Sequence, residues 1–371
     1  MAFADVYRGR RVLVTGHTGF KGAWLSEWLL GLGAQVEGLA LPPPTDPALF
    51  DQLGLAGRMK HRLGDIRDQA LVEAAVREAA PDFVFHLAAQ PLVRYSYQEP
   101  VETYAVNVLG TAHVLDAVRK AGRPCTVVAV TTDKCYENRE WVHSYREEDP
   151  MGGWDPYSSS KGAAELVIAA YRRSFFSAPD SPVRLASGRA GNVIGGGDWA
   201  ADRIVPDCVK ALVAGKTIPV RNRLATRPWQ HVLEPLGGYL WLGACLAKPE
   251  LARLPQHVRE GFNFGPGLDS NRPVSELVEE ILRHWPGRWE DGTDPAAPHE
   301  ASLLNLAVDK ARHVLDWRPV WAFAPTVEKT IAWYRQAREG KFDALAFTRG
   351  QIAAYEADAR SQGLAWAATS G

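Results

Sequence analysis

Between residues 11 and 32 the chain reads RVLVTGHTGFKGAWLSEWLLGL. A β-branched run, Arg11–Thr15, passes straight into Gly16, Gly19 and Gly22, and the apolar spacing over 24–32 predicts a helix directly behind them. A strand joined to a helix by a glycine-rich turn constrains this chain more than any other feature. Glycine permits a tight turn and the close approach of a pyrophosphate, whose charge then meets the helix N-terminus. Taken alone, such a stretch is only a turn. Between a strand and an amphipathic helix, at the start of an alternating pattern, it reads as dinucleotide binding.

The first half continues that alternation. Residues 35–41 read as a second strand, stopped by Pro42, Pro43 and Pro44. Strands are expected over 82–87, 126–132 and 183–189, and helices over 69–80, 101–120 and about 158–174. Strands alternating with helices imply an α/β fold, a Rossmann-type doubly wound parallel sheet covered on both faces, over 1–190. Beyond 190, Gly, Pro, Trp and Arg become frequent and elements short. This predicts a smaller C-terminal substrate-binding lobe from 191–227 and 263–360, with 228–262 returning to the sheet domain. Segments 221–231 and 286–299 read as loops, and 361–371 as a weakly ordered tail. With 371 residues, 46% of them hydrophobic, the chain can bury a substantial core.

The 42 basic and 43 acidic side chains nearly cancel, which argues against a nucleic-acid partner. No apolar run is long enough for a membrane span, and the opening residues lack the apolar stretch of a secretory signal. A cytoplasmic protein is expected. Cys125, Cys135, Cys208 and Cys245 lie far apart without metal-type spacing. No metal and no structural disulfide are expected.

Two further patterns carry chemistry. In YSSSK, Tyr157 and Lys161 are four residues apart and share a helix face. An ammonium beside a phenol favours phenolate, a base usable near neutral pH. The motif is common by chance, but here it follows a dinucleotide turn and a strand ending in Thr132. The place for an acid gripping the adenosine ribose, near Leu41 and Pro42, holds none, so weak discrimination between NAD and NADP is expected. Lys21 reads as an exposed lysine at a helix start more readily than as a phosphate ligand. Asp65 reads either as a contact to the adenine amino group or as the cap of the helix at 69. His86 reads as a packed strand histidine, and Asn263 as part of a turn.

The segments TGHTGFKG, HLAAQPLV, TTDKCYEN, DPYSSSK and RAGNVIGGGDW resemble the extended short-chain dehydrogenase/reductase family, in particular its nucleotide-sugar dehydratases, over about 9–349. The resemblance implies NAD as cofactor, held by Gly16, Thr18, Gly19, Phe20, Gly22, Asp65, Ile66, Ala88, Ala89 and Gln90 together with Tyr157 and Lys161. It implies an internal redox reaction on a nucleotide sugar, with CDP-glucose as the expected substrate. Tyr157 would take the proton of the 4-hydroxyl and Thr132 would hydrogen-bond the 4-oxygen. Asp133 would be the acid at the 6-hydroxyl. Lys134 stands where other dehydratases hold a glutamate base, as expected of the branch acting on CDP-glucose. It acts as the C5 base only when neutral, and otherwise stabilises an enolate. Asn192, Arg203, Arg221, Arg227 and His231 would meet the substrate, Arg227 as a diphosphate fork. A homodimer built on the helices at 101–120 and 158–174 is expected.

Overall fold

The computed structural model describes residues 2–293, 303–338 and 342–368. Seven strands form one parallel sheet: β1 Arg11–Thr15, β2 Gln35–Ala40, β3 Lys60–Leu63, β4 Phe83–His86, β5 Cys125–Val130, β6 Val183–Ala190 and β7 Gly261–Phe264. Their order is β7-β6-β5-β4-β1-β2-β3. β1 pairs with β2 on one side and β4 on the other, so the chain reverses direction across the sheet between β1 and β4. In such a sheet, ligands bind beyond the carboxyl ends of the strands at this switch point. β5 and β4 are buried along their whole length, as a sheet covered on both faces requires.

The helices begin where local chemistry allows. α1 (Phe20–Gly31) follows Gly19 with no side-chain cap. α2 (Gln69–Ala79) is capped by Asp68, which accepts from the amide of Leu71 at 3.0 Å. Thus the cap at 69 is Asp68, not Asp65. The helix expected over 101–120 is built of Pro100–Tyr104, a π-helical turn Ala105–Leu109, and α3 (Gly110–Ala121). α4 (Pro156–Phe175) starts on Asp155, which takes both the amide and the hydroxyl of Ser158, with Pro156 in the first turn. α5 (Leu233–Ala247) is buried from Leu233 to Leu246.

Three expectations change. The stretch 221–231 contains two short strands: Thr226–Pro228 against Asn271–Pro273, and Gln230–His231 against Val193–Ile194. In 286–299, Trp289–Asp291 pairs with Ile218–Val220, and 294–299 lie outside the described residues. The expected tail at 361 instead continues into a packed turn, Ala365–Ala367, as far as the described residues reach. There Trp366 is fully buried, stacked on Phe3 at 5.0 Å and Tyr355 at 5.5 Å. The indole withdrawn from water offsets part of the cost of ordering these residues. All four cysteines are free and buried. Among the described residues no helix is long and apolar enough to cross a membrane, and no cluster of side chains could hold a metal ion.

Candidate active site

The carboxyl ends of β1, β4 and β5 lie side by side, where a sheet of this order places its ligand cleft, and the glycine turn follows directly on β1. Gly16 has φ +79°, and a Cβ there would sit 2.7 Å from the Ala88 amide nitrogen. A Cβ on Gly22 would lie 2.1 Å from the Gly16 carbonyl oxygen. α1 can therefore press its first turn onto the loop only because both residues are glycine. Its uncapped amides are left for an anion, which is what a dinucleotide pyrophosphate supplies. Thr15 accepts the Ala88 amide at 3.2 Å, and Thr18 donates to the Leu41 carbonyl at 2.9 Å, so these two loops are tied to the turn. Gln90 is fixed by Asn107, which accepts its amide at 2.9 Å and donates to Ser160 of α4 at 2.9 Å. Asn107 is thus a site residue that sequence reasoning missed.

Asp65 is committed to Arg67, whose amide and guanidinium it accepts at 2.6 to 2.9 Å. Ile66 is buried, and a Cβ on Gly110 would meet its side chain at 2.5 Å. No acid stands at the end of β2; Leu41 there is exposed.

Thr132 ends the β5 segment and caps the short turn Asp133–Cys135. Its hydroxyl donates to Asp133 Oδ1 at 2.9 Å. Lys134 Nζ donates to the same Oδ1 and to Asn192 Oδ1, each at 3.3 Å. Asp133 is fully buried, and its Oδ2 has no partner. That oxygen lies 2.8 Å from where a Gly191 Cβ would be, and Pro228 closes the same spot at 3.1 Å. The glycine keeps the second carboxylate oxygen open, and Pro228 brings the Arg227 strand beside it.

Tyr157 and Lys161 are both buried on α4. The expected lowering of the phenol by Lys161 is not what dominates. Burial pushes Tyr157 up to about 12; the Thr132 hydroxyl, hydrogen-bonded to it, pulls down, the Asp133 charge pushes up, and Arg203 pulls down. Burial also holds the Lys161 ammonium down to about 8, with Glu165, one turn on, opposing that. Glu165 is itself buried and accepts from Thr131, Ser187 and Arg189. Its place four residues beyond Lys161 was the available signal.

Lys21 is a correction. It is partly buried, and burial together with Arg203, Lys161 and Lys134 lowers it to about 7, against the raising charge of Asp133. The first turn of α1 therefore brings to the cleft an amine that burial and its cationic neighbours make easy to discharge.

The expected substrate residues separate. Arg203 faces the cleft, paired with Asp198 at 3.0 Å. Arg227 is buried and donates to the Thr226 carbonyl. Arg221 is taken by Asp202 at 2.5 Å and Asp207 at 3.1 Å, which accounts for its charge. His231 is a core residue: fully buried, it accepts the Leu233 amide and packs edge-on against Trp24 and Trp321. His86 bridges Thr15 and Thr111 inside the sheet, as a packed strand histidine would. Asn263 is on β7, not in a turn, and holds Tyr136, Tyr145 and Ala307 together.

A dinucleotide turn at the switch point, with a tyrosine and lysine on the neighbouring helix and a buried acid at the next strand tip, defines a nucleotide-dependent redox enzyme. The family model described as GDP-mannose 4,6 dehydratase matches residues 13–242, and the chain belongs to that family. It is 46% identical to the CDP-glucose 4,6-dehydratase of Salmonella typhimurium, over 95% of this chain and 97% of that one. It is 30% identical to a dTDP-glucose 4,6-dehydratase of Streptomyces antibioticus, covering 88% and 93%. Among solved structures, a dTDP-glucose 4,6-dehydratase of Streptomyces venezuelae with NAD bound superposes with a TM-score of 0.74 at 26% identity, covering 88% and 98%.

Proposed function

We propose that this chain is an NAD-dependent lyase converting CDP-D-glucose to CDP-4-dehydro-6-deoxy-D-glucose and water. The observation that carries this reading is the triplet Thr132, Asp133, Lys134 facing Tyr157, in a chain 46% identical to a CDP-glucose 4,6-dehydratase. The glycine turn and the uncapped start of α1 would hold NAD, which would supply the hydride acceptor at sugar C4 and the donor at C6, so no external reductant would be consumed. Tyr157 takes the 4-hydroxyl proton, and Thr132 hydrogen-bonds the 4-oxygen. The resulting ketone acidifies C5–H. Lys134 removes that proton while Asp133 protonates the departing 6-oxygen. Lys161 orients the cofactor beside Tyr157. Arg203 and Arg227 give the cleft the positive charge that two diphosphates require, Lys21 adds to it once a neighbouring phosphate favours its ammonium, and Asn192 positions Lys134 next to them. A 4-epimerase would have no use for Asp133 and Lys134.

The product is a precursor of deoxysugars of bacterial surface polysaccharide, made in the cytoplasm. The working form is a homodimer through the outer faces of α4 and the helix leading into α3, where Val101, Leu109 and Leu166 are 80%, 56% and 63% exposed. Incubation with CDP-glucose and NAD should yield a 4-keto sugar, detected by its absorbance in alkali. UDP-glucose and dTDP-glucose should react far more slowly. No product from CDP-glucose would reject the reading.

A further inference from the structure

We propose that Glu165 is a positioning residue that holds three segments of the site in register. It ties α4, which carries Tyr157 and Lys161, to the strand tip of Thr132, Asp133 and Lys134 and to the strand that leads to Gly191 and Asn192. The inference rests on the dehydratase reading and names the side chain that aligns its parts. Alignment matters because the reacting groups come from separate elements. C4 oxidation uses Tyr157 on α4 together with Thr132 beyond β5. Elimination uses Asp133 and Lys134 beyond β5, beside Gly191 and Asn192 beyond β6.

One carboxylate reaches all three. Tyr157, Lys161 and Glu165 follow one another at helical i, i+4 spacing and share a face of α4. Glu165 Oε1 accepts the Thr131 hydroxyl at 2.5 Å, and Thr131 immediately precedes Thr132. Its Oε2 accepts the Ser187 hydroxyl at 2.8 Å and the Arg189 guanidinium at 2.9 Å, both from β6. Arg189 stands just before Ala190, Gly191 and Asn192. Its other terminal nitrogen donates to the Tyr136 hydroxyl at 2.7 Å and to the Glu147 carbonyl at 3.0 Å, so the guanidinium is itself fixed. Gly261 on β7 gives it room, since a Cβ there would stand 2.6 Å from a guanidinium nitrogen. Thr131 also donates its amide to the Gly188 carbonyl at 2.9 Å, which carries the sheet pairing past the end of β5.

Burial explains why a charge serves here. Glu165, Arg189, Thr131 and Ser187 are all buried. A buried ion pair adds little net stability over apolar side chains of the same volume. The apolar cluster that joins Ile168 of α4 to Val127 and Leu185 is non-directional, and lets a helix slide or roll on the sheet at small cost. A carboxylate with three donors adds direction. Any shift of α4 would stretch a hydrogen bond to a group that solvent barely reaches, and such a bond is costly to leave unmade.

The test separates position from stability with two substitutions around the same carboxylate. Thr131→Val cuts the bond to the strand tip. Ser187→Ala cuts a bond within β6, where Arg189 still holds the same oxygen. The rate is read as formation of reduced nicotinamide in single turnovers with NAD and CDP-6-deoxyglucose, which can be oxidised at C4 but has no 6-hydroxyl to lose. Thr131→Val should slow this step about ten- to a hundredfold, as a small misplacement of reacting groups does. Its dissociation constants for NAD and the sugar nucleotide should stay within about threefold of wild type. Ser187→Ala should stay within about threefold in rate and in both constants. Each variant loses one hydrogen bond, so the two should lower the urea midpoint alike. Thr131→Ser should restore the wild-type rate. A Thr131→Val rate within about threefold of wild type, or rate losses in the two variants that simply follow their urea midpoints, overturns the anchor and leaves the dehydratase reading intact. Wild type that forms no reduced nicotinamide with CDP-6-deoxyglucose and no keto sugar from CDP-glucose overturns that reading as well. Glu165→Asp keeps the charge opposite Arg189 and draws the carboxylate back by one methylene, so its rate should fall at unchanged affinity. A wild-type rate in Glu165→Asp overturns the proposal whether or not Thr131→Val folds.

Discussion

At the scale of single residues, Lys134 and Asp133 form a pair whose net proton count suits elimination. The resting contact is an ammonium donating to a carboxylate at 3.3 Å. Moving one proton across it yields a neutral amine and a carboxylic acid, the base and acid that elimination uses. Lys134→Arg keeps the donors and the charge but cannot supply a neutral base. Turnover should fall by about a hundred- to ten-thousandfold, with reduced nicotinamide accumulating on the enzyme and C5 exchange with solvent deuterium stopping. Near-normal turnover would instead make Lys134 an electrostatic stabiliser of the enolate. The placement of Asp133 and Lys134 at one strand tip, and of Tyr157 and Lys161 on one helix, was legible because each pair lies close in sequence. The places of His231 and Arg221 were not. Their surroundings come from Trp24, Trp321, Asp202 and Asp207, none of which is an immediate neighbour in the chain. Burial lowers His231 to about 3, from an unfolded value near 6.5. The unfolded chain then binds a proton that the folded chain refuses, so stability is full above pH 6.5 and is lost as pH falls toward 3. His231→Phe keeps the ring and removes the titration. Urea unfolding at pH 7 and pH 4 should show the variant losing roughly 3 kcal/mol less than wild type between those values. An equal loss would mean that His231 takes up a proton without opening the fold.

At the scale of elements, the glycine turn and α1 act as one unit. The motif was readable because only glycine fits where α1 rests on the loop, and the structure puts that contact at Gly22 against the Gly16 carbonyl. Gly22→Ala places a methyl 2.1 Å from that oxygen, a backbone atom that cannot turn aside. The helix start must lift from the loop, and the amides that meet the pyrophosphate move with it. NAD affinity, titrated by quenching of tryptophan fluorescence, should fall at least about tenfold, with a stability loss of about 1–3 kcal/mol. Gly31→Ala, at the far end of the same helix, meets nothing within 4 Å and should leave affinity unchanged while gaining up to about 1 kcal/mol. If the two substitutions behave alike, the effect belongs to helix propensity and not to the turn. The less legible elements were the short strands at 226–228 and 230–231. Two or three residues carry no periodicity, and these strands exist because Asn271–Pro273 and Val193–Ile194 come alongside.

At the scale of the whole molecule, the proposed catalytic face and the proposed dimer face lie on opposite sides of α4. Its inner face carries Tyr157 and Lys161, and its outer face carries Leu166 at 63% exposure. The helix that leads into α3 packs beside it, with a hydrogen bond between Tyr104 and Ser159, and adds Val101 and Leu109. Alternation of strands and helices made these helices legible, but outward facing depends on which face the sheet covers, and that needed the structure. A second copy seated on this face would bury side chains worth about 1.5–3 kcal/mol each when fully covered, and would hold the catalytic helix against bending. Leu109→Glu combined with Leu166→Glu places charge where the partner's apolar side chains should sit and leaves the catalytic face untouched. In analytical ultracentrifugation at micromolar concentration, wild type should sediment at twice the chain mass and the double variant at the chain mass. The variant should also melt several degrees lower and keep its affinity for NAD. Wild type at a single chain mass would reject the dimer, and a variant that stays dimeric would place the subunit contact elsewhere; either leaves this apolar face to another partner.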